Sequence, residues 1–419
     1  MPLVYSVFVP HPPIIVPAIG RGEELACSAT LEAYREIANN FIGDKIDTVV
    51  IISPHATLLR QGVIIHREDQ INGDFASFGA PQLQIAFPAH LELAHELANI
   101  LPDAFLHSEK VDHGALVPLY FLQEAGWTGK VVIMGMPIET AVYAHNMARL
   151  FKSFPERIAL VASGDLSHRL KADGPYGFHP AGPQFDQAIV DALTRDPSQI
   201  QHVAVELAEE AGECGWRSLQ LALAVQESMP RVLSYEGPFG VGYLVAELYR
   251  SSPLPHWARL CFETYLKEGN TKRLALPEGP EFQLQRACFV TLKKNGELRG
   301  CIGTTEPWRE NLAEEIKFNA IAAGTEDPRF WPVQSDELSS ITFSVDILGE
   351  MEKISTVDEL DPWRYGVVVR GRGRTGLLLP HLEGIHTAEE QVKIAKQKAG
   401  LSIPEPVELW RFEVVRTLE

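Results

Sequence analysis

The run Ala159-Leu160-Val161-Ala162-Ser163-Gly164-Asp165-Leu166-Ser167-His168 decides the fold. A stretch apolar throughout and short enough for a strand gives way to small polar residues carrying an acid and an imidazole. Two earlier stretches end in the same manner, Val7-Phe8-Val9-Pro10-His11 and Ile51-Ile52-Ser53-Pro54-His55. Proline has no N–H for a sheet ladder, so each strand stops there and each histidine falls just past its carboxyl end. Working outward, strands are predicted over 4–9, 48–52, 130–134 and 158–162, with helices over 28–41, 89–100, 138–151 and 184–193 between them. Near-continuous apolar strands alternating with helices predict an α/β region, its mostly parallel sheet covered by helices on both faces. Ligands of such sheets bind beyond the carboxyl ends of the strands. If the three strands are parallel neighbours, His11, His55 and His168 converge on one crevice, with Asp165 close by.

Composition bounds the rest. The 419 residues suggest two or three domains, and 45% hydrophobic with 22% charged residues is the balance of a globular protein. A net charge of −18 argues against a nucleic-acid binder. No apolar run is long enough to span a membrane. The apolar amino-terminal stretch lacks a preceding basic segment and is broken by prolines 10, 12, 13 and 17, so it is not read as a signal peptide. Five cysteines without a CxxC pair point to reduced thiols and a cytoplasmic protein. Eleven of the fourteen histidines precede residue 203. The Ser/Pro stretch Arg250–His256 has the composition of a linker, which divides the chain into domains at 1–252 and 256–419. Oligomeric state is not legible.

Two imidazoles leave a catalytic metal site one protein ligand short. The third donor is sought in Gly212-Glu213-Cys214-Gly215. Glu213 would complete the two-histidine, one-carboxylate face of a non-haem Fe(II) oxygenase; Cys214 would make a softer site suited to Zn, Cu(I) or iron. Spacing leaves both open.

The VPHPP segment at 9–13, the SPHA segment at 53–56, Asp112-His113-Gly114 and the SGDLSH segment at 163–168 occur together in this order. In this the region 3–250 resembles the class III extradiol dioxygenase superfamily, the LigB type, which includes the Memo proteins. The resemblance implies Fe(II) held by His11, His55 and the Gly-Glu-Cys segment, with His168 as acid/base and His113 lining the pocket of a small, catechol-like aromatic substrate. Asp165 would orient His168 or cap the turn after it. The family's glutamate position falls on Cys214, as in Memo-type members, with Glu213 displaced by one residue.

The second region reads as α+β. Helices are predicted over 255–268, 311–323 and 387–398, strands over 287–293, 341–348, 366–369, 376–379 and 407–415, and a turn at Asn295-Gly296. Leu298-Arg299-Gly300-Cys301-Ile302-Gly303, with Asp327-Pro328-Arg329-Phe330 and Leu378-Leu379-Pro380-His381, resembles the AMMECR family over 256–417. A LigB/Memo-like domain joined to an AMMECR-like one resembles the AmmeMemoRadiSam system, which implies a radical-SAM partner. Arg299 beside Cys301 would lower the thiol pKa and create a second candidate site, unless the thiol is buried in a glycine-tight turn. The alternating Arg370–Arg374 run is expected to be a solvated hairpin tip rather than an anion site. Trp308, Phe330 and Trp331 are expected in the core. Two functions follow: an extradiol-type oxidoreductase, or a metal-binding protein without dioxygenase activity working with a radical-SAM protein. A cysteine hydrolase pairing Cys214 with His168 is a weaker third.

Overall fold

The computed structural model describes residues 3–226, 230–382 and 384–419. The chain divides into two compact units, Met1–Arg250 and Ser251–Glu419.

In the first unit the strands are β1 (Leu3–Val9), β2 (Thr48–Ser53), β3 (Val63–His66), β4 (Gln70–Phe75), β5 (Ala80–Pro88), β6 (Ala104–His107), β7 (Lys130–Gly135), β8 (Ile158–Ser163), β9 (Arg231–Glu236) and β10 (Tyr243–Arg250). Its helices are α1 (Pro17–Gly20), α2 (Ser28–Gly43), α3 (Leu91–Ile100), α4 (His113–Glu124), α5 (Thr140–Ser153), α6 (Ala181–Arg195), α7 (Val205–Ala211) and α8 (Trp216–Val225). Eight strands form one sheet in the order β6-β3-β7-β2-β8-β1-β10-β9, while β4 and β5 pair separately. The centre is parallel: β8 pairs in parallel with both β1 and β2, and β2 with β7. Toward one edge β10 and the outermost strand β9 run antiparallel, and toward the other β3 pairs antiparallel with β7.

Side chains alternate across this sheet because successive Cβ atoms point to opposite faces. Val49, Ile51, Val131, Ile133 and Val161 pack with Tyr34, Ile37 and Phe41 of α2 and Leu116 and Leu119 of α4. Val50, Ile52, Val132, Met134, Leu160 and Ala162 pack on the other side with Leu93, Met147, Phe185 and Leu219 from α3, α5, α6 and α8. Burial of each such side chain stabilises the fold by about 1.5–3 kcal/mol, which explains why these strands read as unbroken apolar runs. All three histidine-bearing segments leave the sheet at one edge, since Val9 lies opposite Ser163 and Ile52 opposite Ala162.

The second unit contains α9 (Pro253–Glu268), β11 (Cys288–Lys294), β12 (Glu297–Gly303), α10 (Leu312–Thr325), β13 (Ile341–Leu348), β14 (Glu352–Ile354), β15 (Gly366–Gly371), β16 (Arg374–Leu378), α11 (Ala388–Lys398), β17 (Glu408–Phe412) and β18 (Val414–Leu418). They make two antiparallel four-stranded sheets, β12-β11-β13-β18 and β14-β17-β15-β16. The single closing strand expected over 407–415 is two strands in different sheets. The chain crosses between them at Glu413, whose carbonyl accepts from Gly349 N at 2.8 Å. The expected linker is also shorter than its composition suggests. Ser252 caps α9 by accepting from Leu254 N at 3.2 Å, and Pro253 occupies the first helical turn, where its missing N–H costs nothing. Trp308 and Trp331, expected in the core, are 77% and 89% exposed in the segments flanking α10, because β11, β13, α9 and α10 already fill that core.

Candidate metal centre

At the carboxyl edge of β1, β8 and β2 the rings of His11 and His55 bring their Nε2 atoms to 2.9 Å. Cys214 Sγ, from the loop before α8, lies 3.6 Å from the same His11 nitrogen, and Asp165 Oδ2 lies 4.0 Å from it. His113, the first residue of α4, stacks on His55 with ring centroids 4.3 Å apart. Two donor triads therefore share His11. One is His11, His55 and His113; the other is His11, Asp165 and Cys214, and within each the donor atoms lie inside 4.8 Å of one another. His11 is 1% exposed and forms the floor, whereas His55 stands open to solvent.

Hydrogen bonding sets the protonation of the floor. Ser163 Oγ donates its one proton to Gly114 O at 2.5 Å, so toward His11 Nδ1, at 2.8 Å, it can only accept. His11 is thereby a Nδ1–H tautomer whose Nε2 lone pair faces His55 and Cys214, the state a metal-ligating imidazole requires. Its backbone is held as firmly: His11 N donates to Asp165 Oδ1 at 2.9 Å, and Tyr34 Oη donates to Pro10 O.

Burial keeps the cluster neutral. It lowers the pKa of His11, with His55 and His113 adding to the effect, and lowers that of His113 to about 4. It raises the Cys214 thiol, helped by Asp165, and pushes the Asp165 carboxyl up to about 7. Neutral nitrogens, a thiol and an acid whose ionisation burial opposes, gathered around His11, are donors a cation would engage. The His11–His55 and His11–Cys214 separations fit as well: with metal–nitrogen and metal–sulfur bonds of about 2.0–2.3 Å, ligands at right to tetrahedral angles sit about 2.8–3.8 Å apart. The donor set fits a borderline-soft divalent ion.

The cluster exists because two loops approach closely. A Cβ on Gly164 would lie 2.1 Å from Gly215 Cα, and this contact seats the Cys214 loop against the end of β8. Cys214 N and Gly215 N both donate to Asp165 O, at 3.2 and 3.0 Å, and Asp165 N donates to Cys214 Sγ at 3.2 Å.

Several expectations change. Glu213 is not among the gathered donors; its carboxylate accepts from Trp216 N at 2.6 Å and caps α8, so of the two candidates it is Cys214 that faces the histidines. Asp165 does not orient His168; its partner is His11. The Cys214–His168 pairing of a hydrolase is absent, since the thiol contacts His11 Nε2 and the Asp165 backbone. His168 sits at the rim, its ring packed edge-on to exposed Tyr176 at 5.1 Å, and burial lowers its pKa. Phe78 meets His113 in the same way at 5.5 Å. Tyr34, Phe78 and Tyr176 carry no functional signal in the sequence, and Ser163 shows only as the first residue of the SGDLSH segment, with no role assigned.

In the second unit Arg299 turns away from Cys301, donating to Glu337 at 3.0–3.1 Å and to Trp331 O at 2.9 Å. Cys301 lies on β12 rather than in a turn. Its N–H donates to Asp327 Oδ2 at 2.8 Å, its thiol accepts from Thr291 Oγ1 at 3.1 Å, and burial raises its pKa. Of the two readings of Cys301 it is the buried thiol that holds, on a strand instead of a turn, and Arg299 does not activate it. The basic hairpin tip is neutralised by Arg370–Glu306 and Arg372–Glu405 ion pairs.

Fold and donor cluster together define a candidate metal-binding α/β domain followed by a separate α+β domain. Residues 5–246 match the family described as the catalytic LigB subunit of aromatic ring-opening dioxygenase, and residues 255–417 match AMMECR1. The chain belongs to the LigB family, with an AMMECR1 domain appended. A Clostridium acetobutylicum protein is 38% identical over 98% of both chains. A Thermotoga maritima protein is 49% identical over 39% of this chain and 96% of its own length. Among solved structures, a Pyrococcus horikoshii protein covers 39% of this chain and 88% of its own at 30% identity and a TM-score of 0.37. An Escherichia coli K12 protein covers 58% and 99% at 16% identity and a TM-score of 0.41. Among the described residues no helix is long and apolar enough to cross a membrane.

Proposed function

We propose that the LigB domain is a mononuclear metal-dependent oxidoreductase of the extradiol ring-opening type, acting on a catechol-like aromatic. The observation that carries this reading is the His11 Nε2 lone pair, held toward His55 Nε2 at 2.9 Å and Cys214 Sγ at 3.6 Å by the Ser163 hydrogen bond. His11 would hold the ion together with His55 and His113 on one side or with Asp165 and Cys214 on the other, the two triads whose donor atoms are gathered. When bound, the ion (Fe(II) in this reading) supplies Lewis acidity toward a chelating hydroxyl and a redox couple for O₂.

The chain's own residues do the remaining work. His168, kept neutral by burial, accepts a substrate hydroxyl proton at its ring nitrogen and returns it later. Phe78 packs edge-on to His113 and Tyr176 to His168, placing aromatic surface at the rim for a planar ring to meet. Anaerobic reconstitution with Fe(II), followed by a panel of catechols and air, is expected to give a coloured ring-fission product. Absence of product across the panel, from protein shown to contain iron, overturns the reading.

A second reading is favoured by one observation, that Glu213 is committed to capping α8 and a thiol takes its place. In it the domain binds a metal without ring opening and works with a radical-SAM protein. Stable co-purification with such a protein, together with an inactive iron-loaded chain, would support it.

A further inference from the structure

His55 stands in the exposed loop between β2 and β3, yet it must keep one position to share an ion with the buried His11. The residues two before and two after it are both tied to a single segment. Ser53 Oγ donates to Asp112 Oδ1 at 2.6 Å and accepts from His55 N at 3.3 Å. Thr57 Oγ1 donates to Glu109 Oε2 at 2.6 Å, and Thr57 N approaches both oxygens of that carboxylate at 3.3 and 3.4 Å. Both acids belong to the run 108–112, which joins β6 to α4. The same Asp112 oxygen also accepts from Gly114 N at 2.7 Å, so the helix bearing His113 shares the anchor.

The run is braced from behind. Arg67 Nε donates to Ser108 Oγ at 2.8 Å. The His66 ring, 2% exposed on β3, sets Nε2 3.6 Å from Glu109 Oε1 and Nδ1 3.8 Å from Glu68 Oε2. These distances are too long for hydrogen bonds. They place a buried ring against the back of the Glu109 carboxylate, whose side chain is only 15% exposed. A hydroxyl donating to a largely shielded carboxylate at this distance is a strong, charge-assisted bond.

We infer that Glu109 is a positioning residue for His55, acting through Thr57. It clamps the far side of the loop as Asp112 clamps the near side, and the two fix the direction of the imidazole. The inference rests on the metal reading above. Outer residues that orient a ligating histidine contribute 10–100-fold to metal affinity.

Co(II) titration of the full chain under anaerobic conditions tests it, with affinity from competition against a chelator and the ligand-field spectrum read in parallel. The expected result is that Glu109→Gln and Thr57→Val each weaken Co(II) binding about 10–100-fold and shift the visible bands. Thr57→Ser, which keeps the hydroxyl, restores both, and the metal-free thermal midpoints stay together. Thr57 is exposed, so its variants fold even if Glu109→Gln does not. Wild-type affinity and spectrum in both variants overturn the inference. So does weakened binding with an unshifted spectrum that Thr57→Ser fails to rescue. If the wild-type chain takes up no Co(II), the metal reading itself fails.

Discussion

Ser163 does more than end a strand. Because its hydroxyl proton is spent on Gly114 O, it can only accept from His11, and so it decides which nitrogen of His11 faces the cluster. Ser163→Ala is expected to lower metal affinity about 10–100-fold by releasing the tautomer. It also costs about 1–3 kcal/mol of stability, because a buried ring N–H loses its acceptor; chelator competition and urea unfolding separate the two. Adjacent residues 213 and 214 part company on the same grounds. Cys214→Ala is expected to lose the metal, whereas Glu213→Gln keeps it and costs about 1 kcal/mol through a weakened cap. Metal analysis of both variants checks this, and the opposite pattern would return the third-ligand role to the carboxylate.

At the scale of elements, the site depends on two loops lying backbone to backbone. A methyl group on Gly164 would meet Gly215 Cα at 2.1 Å, and one on Gly215 would meet Phe8 Cζ at 2.7 Å. Gly164→Ala is expected to cost about 3 kcal/mol, the upper end for overpacking, and to displace the Cys214 thiol. A faster reaction of Cys214 with a thiol reagent would report the displacement. The loop carrying His168 is tied down by Asp186, which accepts from Ser167 N at 2.8 Å and from Tyr235 Oη at 2.7 Å. Burial pushes this carboxyl up to about 7, against those two bonds. Between about pH 4 and 7 the folded chain holds a proton that the unfolded chain has released, so stability falls as pH rises, by up to about 1.4 kcal/mol per pH unit. Asp165 is raised to the same range and adds a slope of the same sign, so Asp186→Asn is expected to reduce, not abolish, the fall in urea midpoints from pH 5 to 8; an unchanged slope would show that other groups carry it.

At the scale of the whole molecule, every donor of the described cluster belongs to the unit Met1–Arg250. That unit expressed alone is therefore expected to bind the metal with the affinity of the full chain. A large loss would mean that the AMMECR1 domain contributes to the centre.

The part of this protein legible in its sequence is the part that rests on local chemistry. Prolines at 10 and 54 and the Ser-Gly at 163–164 end strands wherever the chain runs next. The unbroken apolar character of 48–52 and 158–162 marks strands covered on both faces, and so His11 and His55 could be placed at a sheet edge. Helix starts such as Asn311 and Thr387 show in the same way, through side chains that cap their own backbone. Tertiary structure alone decided which of Glu213 and Cys214 turns inward, that Asp165 serves His11 rather than His168, and that Arg299 leaves Cys301. Apart from the local bond of Glu213 to Trp216 N, each of these depends on where a side chain finds a partner more than twenty-five residues away or on how two backbones touch. Neighbours along the chain carry no record of that.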